Sequence, residues 1–306
     1  MFIWDETLTF EQFRRRFQTE DDCVAALYRF RWPDGFRCPR CGHSQAYTIA
    51  TRRLPLFECR HCRKQTSLIA GTIMEGSRTP LRLWFQAIFL HCRPEEINAT
   101  QLASILGVTY KTAWLMCHKL RHAMSQRDAA LLLGGKVHIV NAIHRRQFTL
   151  EWHQQEHPVL IGASVDEDGQ FSYLKIKIQP KFIHHHKLKQ PEIEPFLLQH
   201  VDKKAQFTVF PVSKGSDAKH KLRKMGWLAE SWLARLFRGI GRKHLQVYLD
   251  HYCYMRNLPA FTRFSRLLND CAGFPTITYP KLTGSTAAAR SRRLHRNATV
   301  SSPFAS

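Results

Sequence analysis

Acidic residues are scarce in this chain. Its 306 residues hold 24 Asp and Glu against 46 Lys and Arg, a formal charge of +22. That shortfall calls for an anionic partner, and nucleic acid is the usual one. Long apolar runs are also missing. None approaches the ~20 residues needed to cross a bilayer, so a membrane partner is not expected. No signal peptide is visible, because Met1 to Phe17 is mixed and charged, and the expected location is cytoplasmic. Cysteines stay reduced there, which excludes a disulfide framework for the nine present and turns CxxC pairs towards metal or redox chemistry. There is no internal repeat. With 44% hydrophobic residues, the chain has enough apolar material for two or three globular domains.

The cysteines supply the sharpest motif. Cys38-Pro-Arg-Cys41 and Cys59-Arg-His-Cys62 are two CxxC knuckles separated by seventeen residues, the spacing of a four-cysteine zinc site. Each two-residue gap lets a tight turn aim both sulfurs at one ion, and two knuckles complete a tetrahedron. With four protein ligands there is no open position, so the zinc is structural. A redox pair needs one CxxC, not two. His43 and His61 flank the knuckles. Cys23, Cys92, Cys117, Cys253 and Cys271 fall at apolar helical positions and read as core.

Periodicity gives an α+β multidomain order. A helical segment covers 1–35, with Phe10, Phe13 and Phe17 at helical spacing, and the ribbon covers 36–70. A helical DNA-binding region covers 78–125, with a buried helix at 81–90. A strand-rich domain covers 134–282, and a polar tail at 283–306 is expected to be disordered. Within the third region, QLASILGVTYKTAWLM has a helix-turn-helix rhythm. Leu102, Ala103 and Leu106 face inward, Gly107 permits the turn, and Thr109 caps the second helix. Thr109, Tyr110, Lys111 and Thr112 then project from the start of that helix towards DNA, and Lys119 and Arg121 continue a basic face. Further on, 137–143, 159–165, 170–178 and 207–212 read as strands, and Asp166-Glu167-Asp168-Gly169 reads as a hairpin turn. The His-rich stretch 181–190 reads as a loop. Helices are expected at 216–225, 228–238, 243–256 and 259–270, with Asp250 on an exposed face.

Taken in order, RWPDGFRCPRCG, FECRHCRKQTS, AGTIMEGSRTPLRLWF and QLASILGVTYKTAWLMCHKLRHAM resemble bacterial insertion-sequence transposases of the ISXO2-like type. The later segments PVLIGASVDEDG, KHLQVYLDHYCYMRN and TYPKLTG share the likeness, which covers roughly residues 10–282. The resemblance implies an N-terminal zinc ribbon followed by an α/β ribonuclease H-like, DDE-type domain. It implies as partner the double-stranded DNA of the element's terminal repeats, handled by a chain that can form homo-oligomers. Carboxylates in that family hold Mg²⁺ for strand cleavage and transfer.

The carboxylate positions depart from the family. The first falls on Val140 or Asn141 and the second on Lys214. The third falls on Ala229, with Glu230 one residue away as the single acidic candidate. A divalent cation needs carboxylate oxygens, so Mg²⁺ is expected only if catalysis is retained. The expectation is therefore a chain descended from transposases that binds DNA without cutting it. Its alternatives are a repressor or competitor of transposition, an active nuclease whose acids lie elsewhere, and a decayed product that folds poorly.

Overall fold

The computed structural model describes residues 8–145, 156–180, 192–211 and 216–284, and the backbone of 183–184 and 187–188. Lys214 and the tail beyond residue 284 lie outside the described residues.

Helices α1 (Phe10–Arg16) and α2 (Glu20–Arg31) each begin with a threonine. Thr9 and Thr19 accept from the backbone N–H three residues on, and the side chains of Gln12 and Asp22 bond back. This reciprocal pair satisfies N–H groups that a helix start leaves open. A three-stranded antiparallel sheet follows, in the order β1 (Ala46–Ile49), β2 (Leu56–Cys59), β3 (Gln65–Ser67). Helix α3 (Leu81–Cys92) is apolar nearly all round and is buried along its length. Helices α4 (Ala99–Leu106) and α5 (Tyr110–Ala130) come next.

Strands β4 (Lys136–His144), β5 (His157–Val165) and β6 (Phe171–Ile178) form an antiparallel meander. The Asp166–Gly169 segment closes the β5–β6 hairpin as expected. Gly169 sits at φ +76, and Asp166 Oδ1 accepts from the Gln170 N–H at 2.7 Å. The 181–190 stretch was expected as a loop, but its backbone pairs as a two-residue hairpin, β7 (Ile183–His184) with β8 (Lys187–Leu188). Helix α6 (Glu194–His200) then carries the chain to β9 (Gln206–Phe210), which lies parallel to β4. The sheet order is β6-β5-β4-β9. One face packs under α6 through Val137, Ile139, Leu160 and Phe196. The other carries Val140, Ile161 and Ile176 against α7 (Asp217–Phe237) and α8 (Arg242–Asn257). Helices α9 (Ala260–Gly273) and α10 (Tyr279–Thr283) finish the fold.

Three expectations need correction. The break near residue 226 does not occur, and α7 runs unbroken from 217 to 237. Gly226 serves close approach to β5 instead: a Cβ there would stand 2.5 Å from Ile161 Cδ1. Helix α9, read as part of the C-terminal domain, packs into the N-terminal core. Its Phe264, Leu267 and Leu268 join Phe13, Phe17, Leu27 and Phe85 in one apolar cluster that also includes Phe36 and Phe57 of the ribbon. Asp250 is buried, not exposed.

Asp250 belongs to a buried charge network. Lys177 Nζ donates to Asp128 Oδ2 and to Asp250 Oδ1, both at 2.6 Å. Lys175 Nζ donates to Asp128 Oδ2 at 3.1 Å, and Gln246 Nε2 donates to Asp250 Oδ1 at 2.7 Å. Two cations and two anions balance, and they tie the end of α5 to β6 and α8. Removing one partner strands a buried charge at a cost of about 3–5 kcal/mol. Asp250→Ala is expected to lower unfolding free energy by that amount in urea titration. A loss below about 1 kcal/mol would show that the network does not hold these elements together.

Candidate zinc centre and nucleic-acid interface

The two knuckles are built from matching turns. In the first, the Gly42 N–H donates to Cys38 O and the Cys38 N–H to His43 O, both at 2.9 Å, with Gly42 at φ +73. In the second, the Arg63 N–H donates to Cys59 O and the Cys59 N–H to Lys64 O, both at 3.0 Å, with Arg63 in the glycine's place at φ +59. The turns bring all four Sγ atoms within 4.8 Å of one another. Cys38–Cys62 is 3.5 Å and Cys41–Cys59 is 3.6 Å. A tetrahedron with Zn–S bonds of ~2.3 Å has edges of ~3.8 Å, so these thiols fit a zinc ion. Desolvation opposes ionisation of Cys38, but the backbone N–H groups of Arg40 and Cys41 together with the Cys62 and Cys41 thiols bring it down, while the same clustering of thiols holds Cys41 up. Among the described residues this is the only metal-competent cluster of His, Cys, Asp or Glu.

The ribbon is anchored from α2. The Arg31 guanidinium donates to the carbonyls of Ser67, Leu68 and Ala70. Trp32, Phe36 and Phe57 pack together, with Trp32 edge-to-face at 5.1 Å from each of the other two rings. The outer surface is strongly basic. Residues 36–70 contain seven Lys and Arg and one acid, Glu58. All seven cations are exposed, and Glu58 is already bonded by Arg63 and Gln65. Arg60 lies 4.7 Å from the ring of exposed Tyr47, a cation–π contact.

Helices α4 and α5 are joined by a short turn. Gly107 adopts φ +64, and the Val108 N–H donates to Ala103 O at 3.1 Å. Thr109 caps α5 by accepting from the Thr112 N–H at 3.3 Å. Leu102, Leu106, Ala113 and Cys117 are buried, as expected. Tyr110 and Lys111 are exposed at the start of α5. The expected continuation of the basic face is overturned, because Lys119 and Arg121 lie inside. Lys119 Nζ donates to Glu75 O at 3.2 Å. The Arg121 guanidinium, 1% exposed, stacks 4.0 Å from the Tyr248 ring and 5.1 Å from Phe237. Beyond its first turns α5 is enclosed by α3 and α9 on one side and α8 on the other, so no continuous solvent face remains.

Of the positions expected to hold carboxylates, Val140 and Ala229 are apolar and Asn141 carries a neutral amide, so none that is described is acidic. Strands β4 and β9 are parallel with Val140 opposite Phe210, so both C-terminal ends reach the same edge of the sheet. Alternation puts Val140 on the α7 face and Asn141 on the α6 face. Val140 and Ala229 are both buried in the apolar cluster beneath α7. These residues do not fit Mg²⁺. Glu230 sits elsewhere, at the end of β4. Its Oε1 accepts from the Arg145 N–H at 2.9 Å and lies 3.6 Å from His144 Nδ1. Burial pushes its carboxyl up to about 7, against the opposing pull of Arg145. The group borders a cavity of about 380 Å³ lined also by His144, His157, Arg238 and Arg242.

Residues 18–65 match a family described as a transposase zinc-ribbon domain. The match begins ahead of the ribbon and takes in α2, whose Arg31 anchors it. An uncharacterized protein in transposable element ISH50 of Halobacterium salinarum is 26% identical over 111 residues, covering 36% of this chain and 37% of that protein. The chain thus matches well under half the length of this relative. No solved structure matches.

Purified ribbon-intact protein is expected to carry one zinc ion per chain. Cys59→Ser should release it and open residues 38–64 to protease, because the metal supplies the folding energy of such a module. Full zinc content in Cys59→Ser by elemental analysis would refute the ligand set. Glu230 gives a pH signature. Its ordinary value is 4.5 and its folded value is about 7. Between these the unfolded chain ionises Glu230 while the folded chain keeps the proton. Its contribution is therefore complete below about pH 4.5 and declines as pH rises to about 7, on the order of 3 kcal/mol in all. Glu230→Gln should flatten this decline in thermal unfolding across that window. An unchanged pH profile would mean that Glu230 ionises normally.

Proposed function

We propose that this chain is an insertion-sequence transposase by descent that binds double-stranded DNA and no longer cleaves or joins it. DNA binding is supported by the ribbon, which carries seven exposed cations and a four-thiol centre and matches a transposase domain. The α4–α5 pair, with Thr109, Tyr110, Lys111 and Thr112 at its exposed end, suits insertion into a groove with the ribbon gripping phosphates nearby. The order of β4, β5, β6 and β9, with α6 as crossover, supports a ribonuclease H-like core. Loss of cleavage rests on the burial of Val140 and Ala229 in one apolar cluster. Two-metal chemistry needs acids that hold two ions ~3.5–4 Å apart, and valine and alanine offer no donor atom. The same burial favours a second reading at the biological level: a chain that occupies element ends without cutting them acts as a repressor or competitor of transposition.

Full-length protein should bind duplex DNA with strong salt dependence. Lys111→Ala should lower the slope of log K against log salt by ~1. With Mg²⁺ or Mn²⁺ it should leave DNA carrying element ends unnicked. Absence of salt-dependent binding would end the DNA proposal. Nicking that disappears in Glu230→Ala would restore the enzyme and make Glu230 catalytic.

A further inference from the structure

Helices α5 and α8 lie side by side and run in the same direction. His118 in the early part of α5 lies 4.8 Å from His244 in the first turn of α8, and Trp114 lies 6.1 Å from the same ring. Further along, Arg121 stacks on Tyr248. Towards the C-terminal ends, Lys177 spans Asp128 and Asp250. Parallel packing points the N-terminal ends of both helices the same way, with α5 starting about two turns ahead of the residue that faces α8's first turn, and each end favours an anion. None of α5, α8 and α10 has an acid in its first turn. The N-cap of α8 is Gly241, which has no side chain to accept the helix's first N–H groups.

Cations crowd the same face. Lys111, Arg242, Lys243 and Lys281 are all exposed, and none has a carboxylate partner among the described residues. Helix α10 bridges the two helix starts. The Tyr279 ring lies 5.4 Å from Lys111 Nζ and 6.1 Å from Trp114. At the other end of α10, Lys243 Nζ comes within 3.4 Å of where a Cβ on Gly284 would stand. Tyr110 and Tyr279 add exposed rings and hydroxyls, at 57% and 42% exposure. Such a face carries four charges, two helix ends and two tyrosines. Lysine, arginine, tyrosine hydroxyls and helix N-termini are the groups that hold successive phosphates of a duplex.

We infer that the starts of α5 and α8, bridged by α10, form a second phosphate-backbone surface continuous with the α4–α5 pair, so that duplex DNA engaged by the N-terminal half runs on across α8 and α10. This rests on the proposal that the chain binds duplex DNA, and Arg242, Lys243, Tyr279 and Lys281 are the residues it adds to that grip. The test is fluorescence anisotropy of the full-length chain with a short mixed-sequence duplex over a salt series. In the double variant Lys243→Ala/Lys281→Ala, the slope of log K against log salt should shrink by ~2, about 0.9 for each phosphate no longer neutralised. The Kd at fixed salt should rise by at least about tenfold, equally on unrelated sequences. Both lysines are exposed, so circular dichroism should be unchanged. A charge-matched control, Lys203→Ala/Lys204→Ala, removes two exposed lysines of the loop before β9 and should change neither quantity. An unchanged slope in the first variant, while Lys111→Ala still weakens binding, would overturn the second surface and leave DNA binding by the N-terminal half standing. An equal loss in the control would also overturn it, as a general charge effect. Wild-type protein without salt-dependent binding would remove the DNA proposal itself.

Discussion

Lys177 stands between two carboxylates contributed by different helices, and the arrangement of the molecule follows from that position. Asp128 comes from the end of α5 and Asp250 from the middle of α8, while Lys177 and its neighbour Lys175 come from β6. A buried cation with one acidic partner missing is costly, so the three elements are fixed together or not at all. Helix α5 belongs equally to the N-terminal core, where Ala113, Met116 and Leu120 join the ribbon and α3. The network therefore couples the sheet to α5 and the helices packed on it. A second tie lies at the far side of the interface. Glu96 accepts from the Trp232 indole N–H, and Asn98 Nδ2 donates to Leu236 O at 3.3 Å, joining the start of α4 to α7.

This coupling sets the direction of α8 beside α5, and with it the character of the surface at their common end. The N-terminal ends of both helices point the same way, and α10 lies against both through Tyr279 and Gly284. The ribbon is held by a different force. Its strands are three or four residues long, too short to bury a sufficient core, so a metal ion at four thiols completes the module. Its underside merges with the aromatic cluster around Trp32, Phe36 and Phe57, which makes the ribbon an extension of the helical core.

The two candidate sites differ in what fills them. Under α7, where the family resemblance calls for acids, Val140 and Ala229 pack among leucines and tyrosines. Such a cluster excludes water and offers a cation nothing. At the end of β4, Glu230 accepts from the Arg145 N–H, and burial nonetheless holds its carboxyl up near 7. The basic faces of the ribbon and of the α5 start remain open to solvent. The proposed DNA-binding role rests on those open basic faces.

What the sequence determined by itself was local. The doubled CxxC spacing reached four converging thiols because each knuckle closes through bonds five or fewer residues apart. The Gly107-Val108-Thr109 turn and the Asp166–Gly169 hairpin were legible for the same reason: a positive φ, a cap and a turn are properties of adjacent residues. Tertiary structure decided the rest. Lys119, Arg121 and Asp250 read as exposed charges because periodicity shows that a helix has two faces and not that both are covered. Gly226 read as a break because the side chain it must avoid, Ile161, lies sixty-five positions earlier. Helix α9 read as part of the C-terminal domain because its apolar stripe does not name its partner. Burial of a charge depends on counter-charges and rings brought from distant segments, and only the packing of α5 against α8 and β6 brought them.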